Sequence, residues 1–166
     1  MTIIFDFDHT LFDTPRLKAA IQGIFAKHGV EEELFERTLE ESRGGGPSFA
    51  KASEGKRDWK PERQFEILRN FGISNVEKIQ GDFEKIMAAS CVFLYKDTIP
   101  FFKKVNQYHK LALVTYGESA FQEKKLLGCP EFKEYFGKII ITKNLYKDKE
   151  VGDLSGGKPA MFVEDN

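Results

Sequence analysis

Several things that would classify a chain quickly are scarce or missing here. Cysteine is rare: Cys91 and Cys129 form no close-spaced pair among the 166 residues, which leaves a disulfide framework without support. Both read as packing residues of a reduced, cytoplasmic protein. No run approaches the roughly eighteen apolar residues that span a bilayer. The N-terminus has no basic region ahead of its short apolar run, and Asp6 interrupts that run, so no signal peptide is expected. An excess of either charge is also lacking. With 25 basic against 26 acidic residues and a net charge of −1, neither nucleic acid nor an anionic membrane is expected as a partner. There is no internal repeat, and no low-complexity tract beyond the run Gly44 to Gly46.

What is present is enough apolar material for one compact domain, or for a core carrying an insertion. Apolar residues make up 41% of the chain and aromatics 13%, and the 16 phenylalanines fall mostly at positions suited to a core. Ile3, Ile4 and Phe5 form a short buried strand whose C-terminal end carries Asp6 and Asp8. A helix follows, with Thr14 as its expected N-cap, Pro15 at the first helical position and Gly29 as its stop. Further helices are expected over residues 31–42, from Pro61 to Phe71, and after Ser74, which forms a capping box with Glu77. Residues 43–58, with three glycines and Pro47, read as a loop. Residues 15–91 thus read as all-helical.

Beyond them the pattern changes. Asp97 or Thr98 caps a helix containing Phe102, Val105 and Tyr108. Leu111 to Val114 is a second buried strand, and Ser119 to Leu127 a helix. Ile139 to Ile141 is a third strand, and Ala160 to Val163 a fourth. Strands separated by helices imply an α/β fold with a Rossmann-like, mostly parallel sheet. In such sheets ligands bind beyond the carboxyl ends of the strands. Asp6 and Asp8, Thr115, and Glu164 with Asp165 all fall at those ends. Carboxylates gathered at one sheet edge repel each other unless a cation joins them, and hard oxygen ligands suit Mg²⁺. Carboxylates, a metal and a hydroxyl together suit a phosphoryl group.

The segment DFDHTLFDT at residues 6–14 resembles the first motif of the haloacid-dehalogenase superfamily. An Asp-x-Asp-x-Thr pattern arises by chance about once in 10⁴ positions at average residue usage. The resemblance implies a phosphatase in which Asp6 is the nucleophile that becomes an aspartyl phosphate. Asp8 would protonate the leaving oxygen and then deprotonate the attacking water, and its backbone carbonyl would help to hold Mg²⁺. Thr10 would support the loop. LALVTYG resembles the second motif, with Thr115 on a phosphate oxygen and backbone N–H groups near Tyr116 and Gly117 assisting. The third motif is a lysine before the last strand. Lys143, Lys147, Lys149 and Lys158 all lie in that region; the spacing favours Lys149, then Lys147, and places Lys158 at the wrong end of the sheet. MFVEDN resembles the fourth motif, with Asp165 as a Mg²⁺ ligand beside Asp6 and Asp8, and Glu164 as a second or water-mediated one.

The resemblance assigns residues 1–14 and 92–166 to an α/β core and residues 15–91 to a helical cap. A cap excludes water and selects small phosphorylated metabolites. Gly44 to Gly46 would be a cap loop, Arg43 a solvated residue or a substrate contact, and Lys51, Lys56 and Arg57 solvated charge. In the family the core normally continues past the fourth motif, so a truncated gene or fragment is expected. A phosphomutase, a nucleotide pyrophosphatase, or a non-catalytic binding protein of the same fold are the alternatives. The sequence carries no signal of oligomeric state.

Overall fold

A computed structural model describes residues 1–43 and 58–165. The expected loop Gly44 to Gly46, and Lys51, Lys56 and Arg57, lie outside the described residues. The chain divides into two compact units, Met1–Leu17 with Ala88–Asn166, and Lys18–Met87. In chain order the elements are β1 (Thr2–Phe5), α1 (Thr14–Lys27), α2 (Glu32–Ser42), α3 (Pro61–Asn70), α4 (Val76–Ala88), a 3₁₀ turn (Ser90–Phe93), α5 (Thr98–Val105) and β2 (Lys110–Tyr116). They continue with α6 (Ser119–Leu127), α7 (Pro130–Lys133), β3 (Phe136–Thr142), α8 (Asp148–Ser155) and β4 (Ala160–Val163).

The first unit is an α/β layer structure around one four-stranded sheet of order β3-β2-β1-β4, with every pairing parallel. β1 and β2 are interior strands covered on both faces, which is why they read as unbroken apolar runs. Ile4, Ala112 and Val114 form one side of the core, with Ile140, Val151, Leu154 and Phe162 packed on them. On the other side an aromatic cluster centres on Phe102. Its ring centroid lies 5.3 Å from that of Phe5, 5.2 Å from Phe136 and 5.8 Å from Phe132. Register aligns Phe5 with both Leu113 and Val163. The residues that follow β1, β2 and β4 therefore emerge together at one sheet edge.

The second unit is helical among its described residues. Phe25 and Phe35 meet edge to face at 4.9 Å, and Phe65 and Phe83 at 5.5 Å. Pro61 opens α3, where its missing N–H costs nothing. Gln64 is fully buried, and its amide is satisfied at both ends. Trp59 Nε1 donates to it at 2.8 Å, and its own Nε2 donates to Phe35 O at 3.2 Å and Thr38 Oγ1 at 3.0 Å.

Three local expectations are corrected. Asp13, not Thr14, caps α1: its carboxylate accepts the Arg16 N–H at 3.0 Å and its carbonyl accepts that of Leu17. At α4 the entering residue is Asn75, not Ser74. Its carbonyl accepts the N–H groups of Lys78 and Ile79, and its side chain donates to His28 O at 3.0 Å. Finally, α5 ends at Val105, so Tyr108 lies beyond it and is exposed.

Phe102→Ala is expected to cost about 3–5 kcal/mol of stability by urea unfolding, because it empties the middle of the aromatic cluster. Tyr108→Ala should change it by less than about 0.5 kcal/mol.

Candidate active site

Asp6 is the first residue past β1, and its N–H donates to Val163 O at 2.9 Å, which fixes the loop to β4. Its side chain is buried. The Lys147 ammonium lies 2.8 Å from Asp6 Oδ2 and 2.7 Å from Glu164 Oε1. Burial pushes the Asp6 carboxyl above its usual value, against the opposing pull of Lys147. Burial also opposes charge on Lys147, but hydrogen bonds and attraction from Asp6 and Glu164 outweigh it and hold the ammonium above its usual value.

Lys147 therefore occupies the place expected for Lys149. It stands just before α8 in a left-handed conformation (φ 58°), a sharp turn that sends its side chain to the strand ends. Lys149 falls inside the first turn of α8 and is exposed. The loop that carries Lys147 is tied down by Glu150, which accepts from Thr142 Oγ1 at 2.5 Å and Asn144 Nδ2 at 3.3 Å. Lys143 donates to Gly117 O at 3.0 Å, and Lys158 lies at the opposite end of β4.

Asp8 is held by three donors. Thr14 Oγ1 and Lys125 Nζ reach Oδ1 at 2.5 and 2.6 Å, and Gln122 Nε2 reaches Oδ2 at 2.7 Å. Burial pushes the Asp8 carboxyl up, but Lys125, Thr14 and Gln122 together hold it below the usual carboxylate range. Burial pulls the Lys125 ammonium down in spite of Asp8 and Asp6. The 2.6 Å contact and the two further donors on Asp8 make ammonium and carboxylate the state of this pair. The Lys125 Nζ also lies 4.9 Å from the ring centroid of Phe121, 5.3 Å from Phe12 and 5.6 Å from Phe7. Neither Lys125 nor Gln122 was expected from the sequence. Being freed from capping is what lets Thr14 reach Asp8.

Thr115 is the penultimate residue of β2, two places past Leu113, the partner of Phe5, and its Oγ1 is buried without a hydrogen-bond partner among the described residues. An unpaired buried hydroxyl costs about 1–3 kcal/mol unless a ligand satisfies it. Of the backbone donors expected beside it, the Gly117 N–H is engaged, donating to Thr142 O at 3.2 Å. The Glu118 carboxylate caps α6 by accepting the Phe121 N–H at 2.7 Å. Tyr116 contributes its carbonyl, which accepts from Gln122 Nε2 at 2.8 Å. Gly117 has φ 147°, and a Cβ there would stand 2.6 Å from Gln122 Nε2, so only glycine fits.

Asp165 follows β4 and stands over the first loop. Its N–H donates to Thr10 Oγ1 at 2.9 Å, and that hydroxyl reaches Asp165 Oδ1 at 3.4 Å. Thr10 thus bonds across to the fourth motif. Among the described residues, no three His, Cys, Asp or Glu side chains gather closely enough to cage a metal. Mg²⁺ needs no such cage, since it is held by one or two carboxylates and keeps waters or substrate oxygens. Asp6 and Asp165 supply carboxylates of that chemistry at one sheet edge, and the donor set fits. Asp8, whose carboxylate faces Lys125, Gln122 and Thr14, could add only its backbone carbonyl.

A family model described as haloacid dehalogenase-like hydrolase matches residues 1–164. No match was found among curated proteins. Among solved structures, a haloacid dehalogenase-like protein of Burkholderia xenovorans superimposes with a TM-score of 0.70 at 15% identity, over 99% of this chain and 71% of that one. A Bacillus subtilis protein assigned as a HAD hydrolase and bound to magnesium gives 0.59 at 16% identity, over 99% of this chain and 79% of that one. The L-2-haloacid dehalogenase of Xanthobacter autotrophicus gives 0.55 at 18% identity, over 97% and 68%. Identities this low speak for the fold alone. The family match runs from the strand before Asp6 to Glu164, and the chain belongs to the haloacid dehalogenase-like hydrolases.

Proposed function

We propose that the chain is a Mg²⁺-dependent phosphatase that hydrolyses small phosphomonoesters through an aspartyl phosphate on Asp6. The observation that carries this reading is the presence, near the ends of neighbouring strands, of a buried Asp6 held by Lys147 and of a Thr115 hydroxyl that is buried and without a partner among the described residues. A phosphoryl group bound there would offer its oxygens to Thr115 and Lys147 while an Asp6 oxygen attacks phosphorus. Bound Mg²⁺ would neutralise charge on the phosphoryl oxygens and the attacking carboxylate.

Two steps follow. In the first, a bond forms between Asp6 Oδ and phosphorus, and the bond to the leaving oxygen breaks. In the second, a water oxygen bonds to phosphorus, the Asp6–phosphorus linkage breaks, and the water proton passes to Asp8. Held as a carboxylate by Lys125, Gln122 and Thr14, Asp8 is set up as a base. It can protonate a leaving oxygen only after taking up a proton. Esters whose leaving group is stable as an anion should therefore be the fastest substrates. We read the helical unit Lys18–Met87 as the substrate-selecting cap, and a small phosphorylated metabolite in the cytoplasm as the substrate.

Asp6→Asn should abolish hydrolysis of an aryl phosphate, as followed by phosphate release. Lys147→Met should lower kcat about 10²–10³-fold, while Lys149→Met should stay within about twofold. Chelation should remove activity and added Mg²⁺ restore it. Chloride release from a 2-chloroalkanoate without any phosphate release would overturn the phosphatase reading in favour of dehalogenation.

A further inference from the structure

Gln122 and Lys125 sit three residues apart on α6, where helical geometry puts both on one face. That face is turned inward, and both side chains are buried although both are polar. Burying a lysine is costly unless the charge is paired, and here the pairing is specific. Lys125 Nζ meets Asp8 Oδ1 at 2.6 Å while Gln122 Nε2 meets Oδ2 at 2.7 Å. The Gln122 amide orientation is fixed, since the same Nε2 also donates to the Tyr116 carbonyl and both partners are pure acceptors.

A carboxylate has about four lone-pair sites. On Asp8, Oδ1 takes two donors, Thr14 and Lys125, and Oδ2 takes one, Gln122. The acceptor site left for a further donor is therefore on Oδ2. Gln122 Oε1 is buried and without a donor among the described residues, so this amide meets Asp8 through Nε2 alone.

We propose that Lys125 and Gln122 are positioning residues that fix the Asp8 carboxylate so that Oδ2 receives the proton of the water attacking the aspartyl phosphate. The assignment rests on the phosphatase reading and goes beyond it by giving α6 a part in the second step. In that step the water oxygen bonds to phosphorus, the Asp6 Oδ–phosphorus bond breaks and returns its electron pair to Asp6, and the proton goes to Asp8 Oδ2. Inorganic phosphate leaves, and the proton on Asp8 passes to a later leaving oxygen or to solvent. Lys125 and Gln122 touch neither phosphorus nor the leaving group; they act through Asp8.

The test separates the two steps with p-nitrophenyl phosphate, whose leaving group needs no proton, in the presence of Mg²⁺. Gln122→Met keeps the side-chain length and removes the donor; Lys125→Met removes the charge. For both variants the expected result is a rapid burst of about one nitrophenolate per enzyme at the wild-type rate. Steady-state turnover should then be at least about tenfold slower, within the 10²–10⁴-fold span of general base catalysis. Burst and steady state falling together, as a general structural defect would cause, overturns the proposal, and so does unchanged turnover. If Lys125→Met does not fold, Gln122→Met decides alone. If the wild-type protein releases no nitrophenolate, the phosphatase reading fails on its own. The positioning claim is then decided by a crystal structure of Gln122→Met: an Asp8 carboxylate that keeps its rotamer and both Oδ1 contacts overturns it.

Discussion

Two carboxylates are forced together at the end of one strand, and each is given its own buried lysine. Asp6 and Asp8 both lie in the segment that leaves β1 at the end of an apolar sheet, Asp6 buried and Asp8 partly so. Lys147, delivered by the loop after β3, lies on Asp6, and Lys125, delivered by α6, lies on Asp8. The other features of the site follow from keeping these two pairs apart and aligned. Parallel register brings the strand ends to one edge, Glu150 ties down the loop of Lys147, and glycine at position 117 lets Gln122 close in.

The two pairs are not equivalent. On Asp6, burial prevails and the carboxyl is pushed up, and the Thr115 hydroxyl near the end of the neighbouring strand has no hydrogen-bond partner among the described residues. On Asp8, the donors prevail and nearly all of its acceptor capacity is taken by the protein. On the proposed reading, Asp6 is the carboxylate that attacks phosphorus and Asp8 the one held in orientation by its three donors. That division of labour between neighbouring acids is set by their surroundings rather than by their chemistry.

Much of this could be read from the residues in order. The apolar run ahead of Asp6 gave its strand, and the limits of α6 and β4 fall where residue pattern put them, at Ser119–Leu127 and Ala160–Val163. The lysine that meets Asp6 is harder to find, because spacing along the chain cannot register a single left-handed residue. The turn at Lys147 aims that side chain at Asp6 and leaves Lys149 on the helix surface. Lys125 and Gln122 gave no signal at all. Apolar periodicity finds the inner face of a helix by its hydrophobic residues, and here buried polar residues occupy that face because they have the Asp8 carboxylate to meet. Thr14 misleads for a related reason. A threonine before Pro15 looks like a cap, but Asp13 does the capping and leaves the hydroxyl for Asp8.

The most direct measurement looks for the covalent bond on Asp6. The protein is quenched in acid during turnover of an aryl phosphate and reduced with borohydride, which converts an aspartyl phosphate to homoserine, and the peptides are then sequenced by mass. Homoserine at position 6, and at no other aspartate, is the predicted result. Aspartate recovered intact at position 6 from a protein that is releasing phosphate, or homoserine at Asp8 instead, would contradict the assignment of the nucleophile.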